Sequence, residues 1–182
     1  VSSCLLKMFN GLIKLFKITD GIIVKKSQSV YYLSNSKGEK VNITSNNRFC
    51  FFINDGYLYL KNISLTLKEI KIVLRKLNNF NKGLKQEYFF QLSIQGVGYR
   101  FLDVTKNKVI LKAGYSNNVE FNLPELVSGF LLTNTDLLLY SFDYDLLKLT
   151  CSHIKKIRSP DVYKGKGLRY PSETIILKEI KK

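Results

Sequence analysis

Between residues 158 and 170 the sequence reads Arg158-Ser159-Pro160-Asp161-Val162-Tyr163-Lys164-Gly165-Lys166-Gly167-Leu168-Arg169-Tyr170. Proline cannot continue a helix, so Pro160 stops whatever helix precedes it. Lysine and glycine then alternate. Gly165 and Gly167 let the backbone approach a ligand closely and adopt positive φ. Lys164 and Lys166 project ammonium groups, and Arg169 adds a planar fork that matches phosphate. Tyr163 and Tyr170 bracket the loop with flat faces able to stack on bases. Cations on a glycine loop between aromatic rings suit the non-covalent binding of a polyanion. The competing reading is a solvated basic loop.

Other residue types that do chemistry are poorly placed for it. Gly96-Val97-Gly98 has no third glycine and no Gly-Lys-Ser/Thr, so it is neither a dinucleotide nor a P-loop fingerprint. It fits a bulge or close backbone approach beside Tyr99 and Arg100. Cys4, Cys50 and Cys151 lie far apart, and His153 is the only histidine. A zinc site takes about four N or S ligands, so none is expected, and the odd thiol count argues against a disulfide framework. All three thiols are expected to be buried. Cys151 and His153 are two apart and diverge on a helix, which argues against a nucleophile pair. No constellation combines nucleophile, base and oxyanion donor, so no enzyme and no cofactor is expected.

Composition agrees with a folded, anion-seeking protein. The chain has 182 residues, 45% of them hydrophobic, with 12 Phe and 11 Tyr to bury, and a net charge of +15. Residues 151–182 hold nine Lys or Arg against Asp161, Glu173 and Glu179, so the C-terminal end is cationic. Ala113 is the only alanine, tryptophan is absent, and Lys, Asn, Ile, Leu, Phe and Tyr abound. These are largely residues with A/T-rich codons, which points to an organelle genome or a reduced bacterium.

The elements that must carry the loop follow from periodicity. Leu5, Phe9, Leu12, Ile13 and Phe16 fall at helical spacing, with Lys7, Lys14 and Lys17 to another side. Residues 1–20 are therefore read as an amphipathic extension docked on a partner, or less readily on a membrane surface. Residues 21–82 read as short strands, with Asn54-Asp55-Gly56 marking a hairpin, then a helix over about 64–79 capped by Ser64. Its apolar stripe would be Leu67, Ile70, Leu74 and Leu77. Asn78 to Gly83 is read as a helix break and a domain boundary. Residues 83–182 repeat the order, with strands over 88–94, 99–104, 108–113, 119–123 and 136–142, and a helix over about 143–157. Leu146, Leu149, Thr150, His153 and Ile154 would lie near one face of that helix. Residues 174–177 would add a strand. The fold class expected is α+β, with two similar units, each an antiparallel sheet packed with one helix.

The segment from Pro160 to Tyr170 closely resembles the C-terminal motif of the large-subunit ribosomal protein six family. Gly96-Val97-Gly98-Tyr99-Arg100 matches that family too, as does Gly114-Tyr115-Ser116 with Val119-Glu120-Phe121-Asn122-Leu123-Pro124 behind it. The resemblance covers about Tyr88 to Lys182. From Asp20 to Lys85 it extends only to the layout of elements, and before Asp20 there is none. It implies two similar domains, no enzymatic activity, and binding to large-subunit rRNA near the sarcin–ricin loop and stalk base. Neighbouring ribosomal proteins would be partners, with translational GTPases docking nearby. The rRNA-binding residues expected are Arg100, Lys155, Lys156, Arg158, Tyr163, Lys164, Gly165, Lys166, Gly167, Arg169 and Tyr170. With the codon bias, a mitochondrial ribosome is expected, a plastid or bacterial one being the alternative. Two rivals are a basic membrane-associated adaptor using residues 1–18 and an RNA-processing enzyme.

Overall fold

Short β-rich segments and two long amphipathic ones remove their apolar faces from water by pairing and packing. In the computed structural model of the chain, the described residues are 8–9, 12–17, 23–27, 30–34, 40–44, 48–54, 57–62 and 66–179. The chain divides into two compact units, Val1–Asn81 and Lys82–Lys182. The first holds β1 (Met8–Phe9), β2 (Leu12–Lys17), β3 (Ile23–Ser27), β4 (Val30–Ser34), β5 (Lys40–Thr44), β6 (Phe49–Asn54), β7 (Tyr57–Asn62) and most of α1 (Leu67–Lys85). The second holds β8 (Tyr88–Gln95), β9 (Arg100–Val104), β10 (Lys108–Lys112), β11 (Val119–Asn122), β12 (Ser128–Thr133), β13 (Asp136–Ser141), α2 (Tyr144–Ile157) and β14 (Gly167–Arg169).

The fold is α+β, and the strands pair antiparallel. Each unit has two sheets where one was expected. The first unit has the orders β1-β2-β7-β6 and β3-β4-β5, and the second has β12-β13-β8-β14 and β11-β10-β9. Both units follow one wiring scheme: an opening strand, a three-stranded meander, a hairpin, then a helix. In each, the opening strand (β2 or β8) pairs with the second hairpin strand (β7 or β13). The likeness between the units is therefore visible in pairing where no residue-level repeat is visible in sequence.

This wiring overturns the helical reading of the N-terminal stretch. Leu12–Lys17 is the opening strand of the first unit, with Leu12 opposite Lys61, Ile13 opposite Leu60 and Lys14 opposite Tyr59. A short apolar run satisfies helical and extended spacing alike, and the free edge of β7 decides between them. Leu5 lies outside the described residues. The amphipathic helix on which the membrane-associated adaptor rested is thus absent from residues 12–17. No described helix is long and apolar enough to cross a membrane.

The helix α1 starts on a capping box, with Thr66 as the cap. The Thr66 N–H and hydroxyl donate to Glu69 Oε2 at 2.8 and 2.9 Å, and the Glu69 N–H donates to the Thr66 hydroxyl at 3.4 Å. The expected cap, Ser64, lies outside the described residues. The buried face is Ile70, Val73, Leu77 and Phe80, while Leu67 is 72% exposed. The predicted stripe was thus rotated by part of a turn. The expected break at Asn78 to Gly83 does not occur, because Leu77 just before it and Phe80 within it are buried and hold the helix to Lys85.

Three further expectations change. Residues 174–177 form no strand, and β12 and β14 were not anticipated. Both contain glycine and lie at sheet edges, where pairing with a neighbour replaces intrinsic propensity. Gly129 of β12 sits where a Cβ would be 2.6 Å from Leu139 Cδ2. Gly83 is tighter: a Cβ there would be 2.9 Å from the Phe142 carbonyl carbon and closer to its oxygen. Glycine to alanine inside a helix ordinarily stabilises by about 1 kcal/mol. Gly83→Ala is expected to do the reverse, costing about 1–3 kcal/mol by overpacking against backbone. A lowered urea midpoint is the expected reading, and a raised one contradicts the contact.

Candidate nucleic-acid interface

Two anchors hold the basic loop. The helix α2 is the first. It is capped by Asp143, whose carboxylate accepts the N–H groups of Asp145 and Leu146 at 3.0 and 3.2 Å. Leu147, Thr150, Cys151 and Ile154 are its buried face. The expected face was rotated: Leu149 and His153 are exposed. Two overlapping stripes were possible, and contact with β8, β13 and β14 selects the one containing Leu147 and Cys151. The second anchor is β14, which places Gly167, Leu168 and Arg169 opposite Gln95, Ile94 and Ser93 of β8. Leu168 is fully buried there.

Between the anchors the chain turns on Asp161. Its N–H donates to the Lys166 carbonyl and its own carbonyl accepts from Gly165 N–H, both at 2.9 Å. Its carboxylate accepts the N–H groups of Tyr163 and Lys164 at 3.2 and 3.1 Å. The Leu168 N–H donates to the Arg158 carbonyl at 2.8 Å, and Lys178 N–H to the Val162 carbonyl at 2.9 Å. Gly165 has φ +68° and Gly167 φ +143°. A Cβ on Gly167 would lie 2.7 Å from the Ser159 oxygen and 2.8 Å from Pro160 Cα, so only glycine fits.

The glycine–tyrosine motifs, far apart in sequence, meet beside this loop. The Tyr99 ring lies over Gly96 and Gly114: a Cβ on Gly96 would be 2.8 Å from Tyr99 Cδ2, and one on Gly114 would overlap the Tyr99 hydroxyl. Tyr115 donates its hydroxyl to the Ile157 carbonyl at 2.8 Å, at the C-terminal end of α2. The Arg158 guanidinium lies over the Tyr115 ring, 5.5 Å from its centroid. Contact with Tyr115 first, and Tyr99 next, raises the Arg158 pKa and favours its charged form.

The candidate residues separate into two groups. Lys155 is turned inward: its ammonium donates to both Glu173 oxygens at 2.7 Å and lies 5.2 Å from the Tyr170 ring centroid. Tyr170 is half-buried, with its ring 6.1 Å from that of Phe90. These two brace the loop from beneath. Lys156, Arg158, Tyr163 and Lys164 are exposed, as is Arg100 at the start of β9. Lys166 and Arg169 are half-buried, and Arg169 Nε is buried with no acceptor among the described residues.

Among the described residues, no group of three or more His, Cys, Asp or Glu side chains could hold a metal ion. Two of the three acids of the basic end are taken up internally, Asp161 by backbone N–H groups and Glu173 by Lys155. Burial pushes the Cys151 thiol up to about 12, so it is not a nucleophile. Cys50 is half-buried where full burial was expected, and Cys4 lies outside the described residues.

No protein-family model matches the chain. Individual relatives do. It is 44% identical over 106 residues to the large ribosomal subunit protein uL6 of Psychrobacter arcticus, covering 58% of this chain and 59% of that protein. It is 41% identical over 100 residues to the uL6 protein of Desulforapulum autotrophicum, 55% of each chain. It is 39% identical over 102 residues to the large ribosomal subunit protein uL6c of Phaeodactylum tricornutum, covering 56% and 57%. Over these roughly 100 residues the chain is similar to uL6 proteins of bacteria and to one named uL6c. It spans between 55% and 59% of the length of these curated relatives.

Sequence reasoning passed over two residues of this surface. Tyr115 is 43% exposed beneath Arg158, and its place in the Gly114-Tyr115-Ser116 motif was the available signal. Lys112 stands directly opposite Arg100 across β9 and β10, so two exposed cations face the same way. Only the strand register reveals that pair, which costs stability unless an anion relieves it.

The Lys155–Glu173 clamp yields a pH prediction. The Lys155 ammonium, helped by the Tyr170 N–H and opposed by burial, holds the Glu173 carboxyl below its ordinary pKa. A folded pKa below the unfolded value of about 4.3 gives stability that is complete above that value. It is lost as pH falls through the folded pKa. The pair is partly exposed, so the effect is on the order of 0.5–1 kcal/mol. Glu173→Gln is expected to unfold at a lower temperature than the parent at neutral pH, the gap closing in acid. A gap independent of pH contradicts the clamp.

Proposed function

We propose that this chain is a non-enzymatic structural constituent of a large ribosomal subunit, binding large-subunit rRNA through its second unit. The observation that carries the reading is the meeting of three separate motifs around one cationic edge, with Tyr115 and Arg158 at the join. Lys156, Arg158, Lys164, Lys166 and Arg169 would meet phosphates, as would the Arg100 and Lys112 pair, and Tyr163 offers a ring for stacking. The unpaired Arg169 Nε supports this, since a buried donor without an acceptor costs about 1–3 kcal/mol unless a partner supplies one. Lys155 and Tyr170 set the loop's shape. The names of the relatives support a ribosomal setting.

The finer reading places this contact near the sarcin–ricin loop and stalk base, with neighbouring ribosomal proteins as partners and translational GTPases docking nearby. Family resemblance supports it. The A/T-leaning composition supports an organelle, a mitochondrion first and a plastid or bacterium otherwise. The RNA-processing alternative is disfavoured by the internal use of Asp161 and Glu173.

Replacing Lys164, Lys166 and Arg169 by alanine tests the reading. Each lost phosphate contact removes about 0.7–0.9 from the slope of log K against log salt, so the triple variant should flatten it by roughly 2. Measured on an rRNA fragment, with the unfolding midpoint checked, an unchanged slope sinks the assignment.

A further inference from the structure

The helix α1 carries a second charged surface. Lys68, Lys71 and Arg75 are spaced three and four apart, which places them on one face, spread over about 10 Å of helix axis. All three are exposed, and none has an ion pair or hydrogen bond among the described residues. The only acid of α1, Glu69, is withdrawn from them: it caps the helix on Thr66 and pairs with Arg48 at 2.7 Å. Like charges at these spacings destabilise a helix, so the stripe works against its own element. Nor does the fold require it. The equivalent helix of the second unit, α2, exposes Asp145 along with Lys148 and Lys156.

We propose that the Lys68–Lys71–Arg75 face of α1 is a second RNA-binding surface, contacting phosphates independently of the C-terminal loop. It rests on the RNA-binding reading given above and extends it to the first unit. Three unopposed cations along a rigid rod match a line of backbone phosphates, and they make point-charge contacts without base selection. A membrane surface is the weaker match. An interfacial helix sinks its apolar face into lipid, and α1 has buried Ile70, Val73, Leu77 and Phe80 in the protein. Leu67 and Ile72, exposed beside the cations, leave little apolar area for lipid.

The test uses the full chain and its Lys68→Gln, Lys71→Gln, Arg75→Gln variant. Each is titrated with an RNA duplex of about 20 base pairs between roughly 50 and 200 mM salt. The expected result is a salt slope shallower by about 2, with an unchanged circular dichroism spectrum. Lys68→Arg with Lys71→Arg should keep the parent slope. Glutamine is close to lysine and arginine in helix propensity, and Lys71→Gln alone, expected to lower the slope by somewhat under 1, serves if the triple variant loses helix. An unchanged slope here, with a flattened one for the Lys164, Lys166, Arg169 variant, overturns this surface and leaves the loop intact. If neither variant alters the slope, the RNA reading itself fails. Loss of binding to phosphatidylserine vesicles with RNA binding unchanged also overturns it, in favour of a membrane surface.

Discussion

The second unit depends on a steric constraint at Gly167. The chain leaves α2, turns, and returns as β14 beneath the backbone of residues 158–160, with no space for a Cβ. That close passage lets Leu168 reach the core while its N–H closes on the Arg158 carbonyl. Pairing of β14 with β8 then fixes both ends of the basic loop. A loop bound at both ends has surrendered conformational entropy during folding, so less is lost when it meets a ligand.

Charge is distributed by the same logic. Two of the acids near the cationic end serve the scaffold: Asp161 bonds the loop's backbone, and Glu173 holds Lys155 against Tyr170. The outward cations Lys156, Arg158 and Lys164 have no acidic partner among the described residues, so the field of the loop is not cancelled from within. Lysine supplies most of this charge, so many contacts would be point-like; Arg158 and Arg169, whose planar groups stack and fork, sit where geometry matters most.

The shared wiring of the two units shows how one architecture carries different surfaces. An opening strand, a meander, a hairpin and a helix produce the same sheet orders in both. What differs is placed at edges and outer faces. In the second unit the edge next to the opening strand is β14 with Gly167, and in the first it is β1. Packing constrains the inner faces, and the outer ones are free to acquire charge.

The sequence by itself determined the α+β class, the presence of both helices, the hairpin around Asp55-Gly56, and the basic loop with its two glycines. These are local properties: periodicity, turn chemistry and side-chain type act within a few residues. It also carried the family motifs, because they lie in short uninterrupted runs. Tertiary structure alone decided that Leu12–Lys17 is a strand, since the spacing fits both forms and only the edge of β7 chooses. It decided which stripe of each helix is buried, for overlapping stripes differ only in what they face. It moved Lys155 and Tyr170 inward and brought Tyr115 and Lys112 into view, because both outcomes depend on contacts between residues distant in the chain.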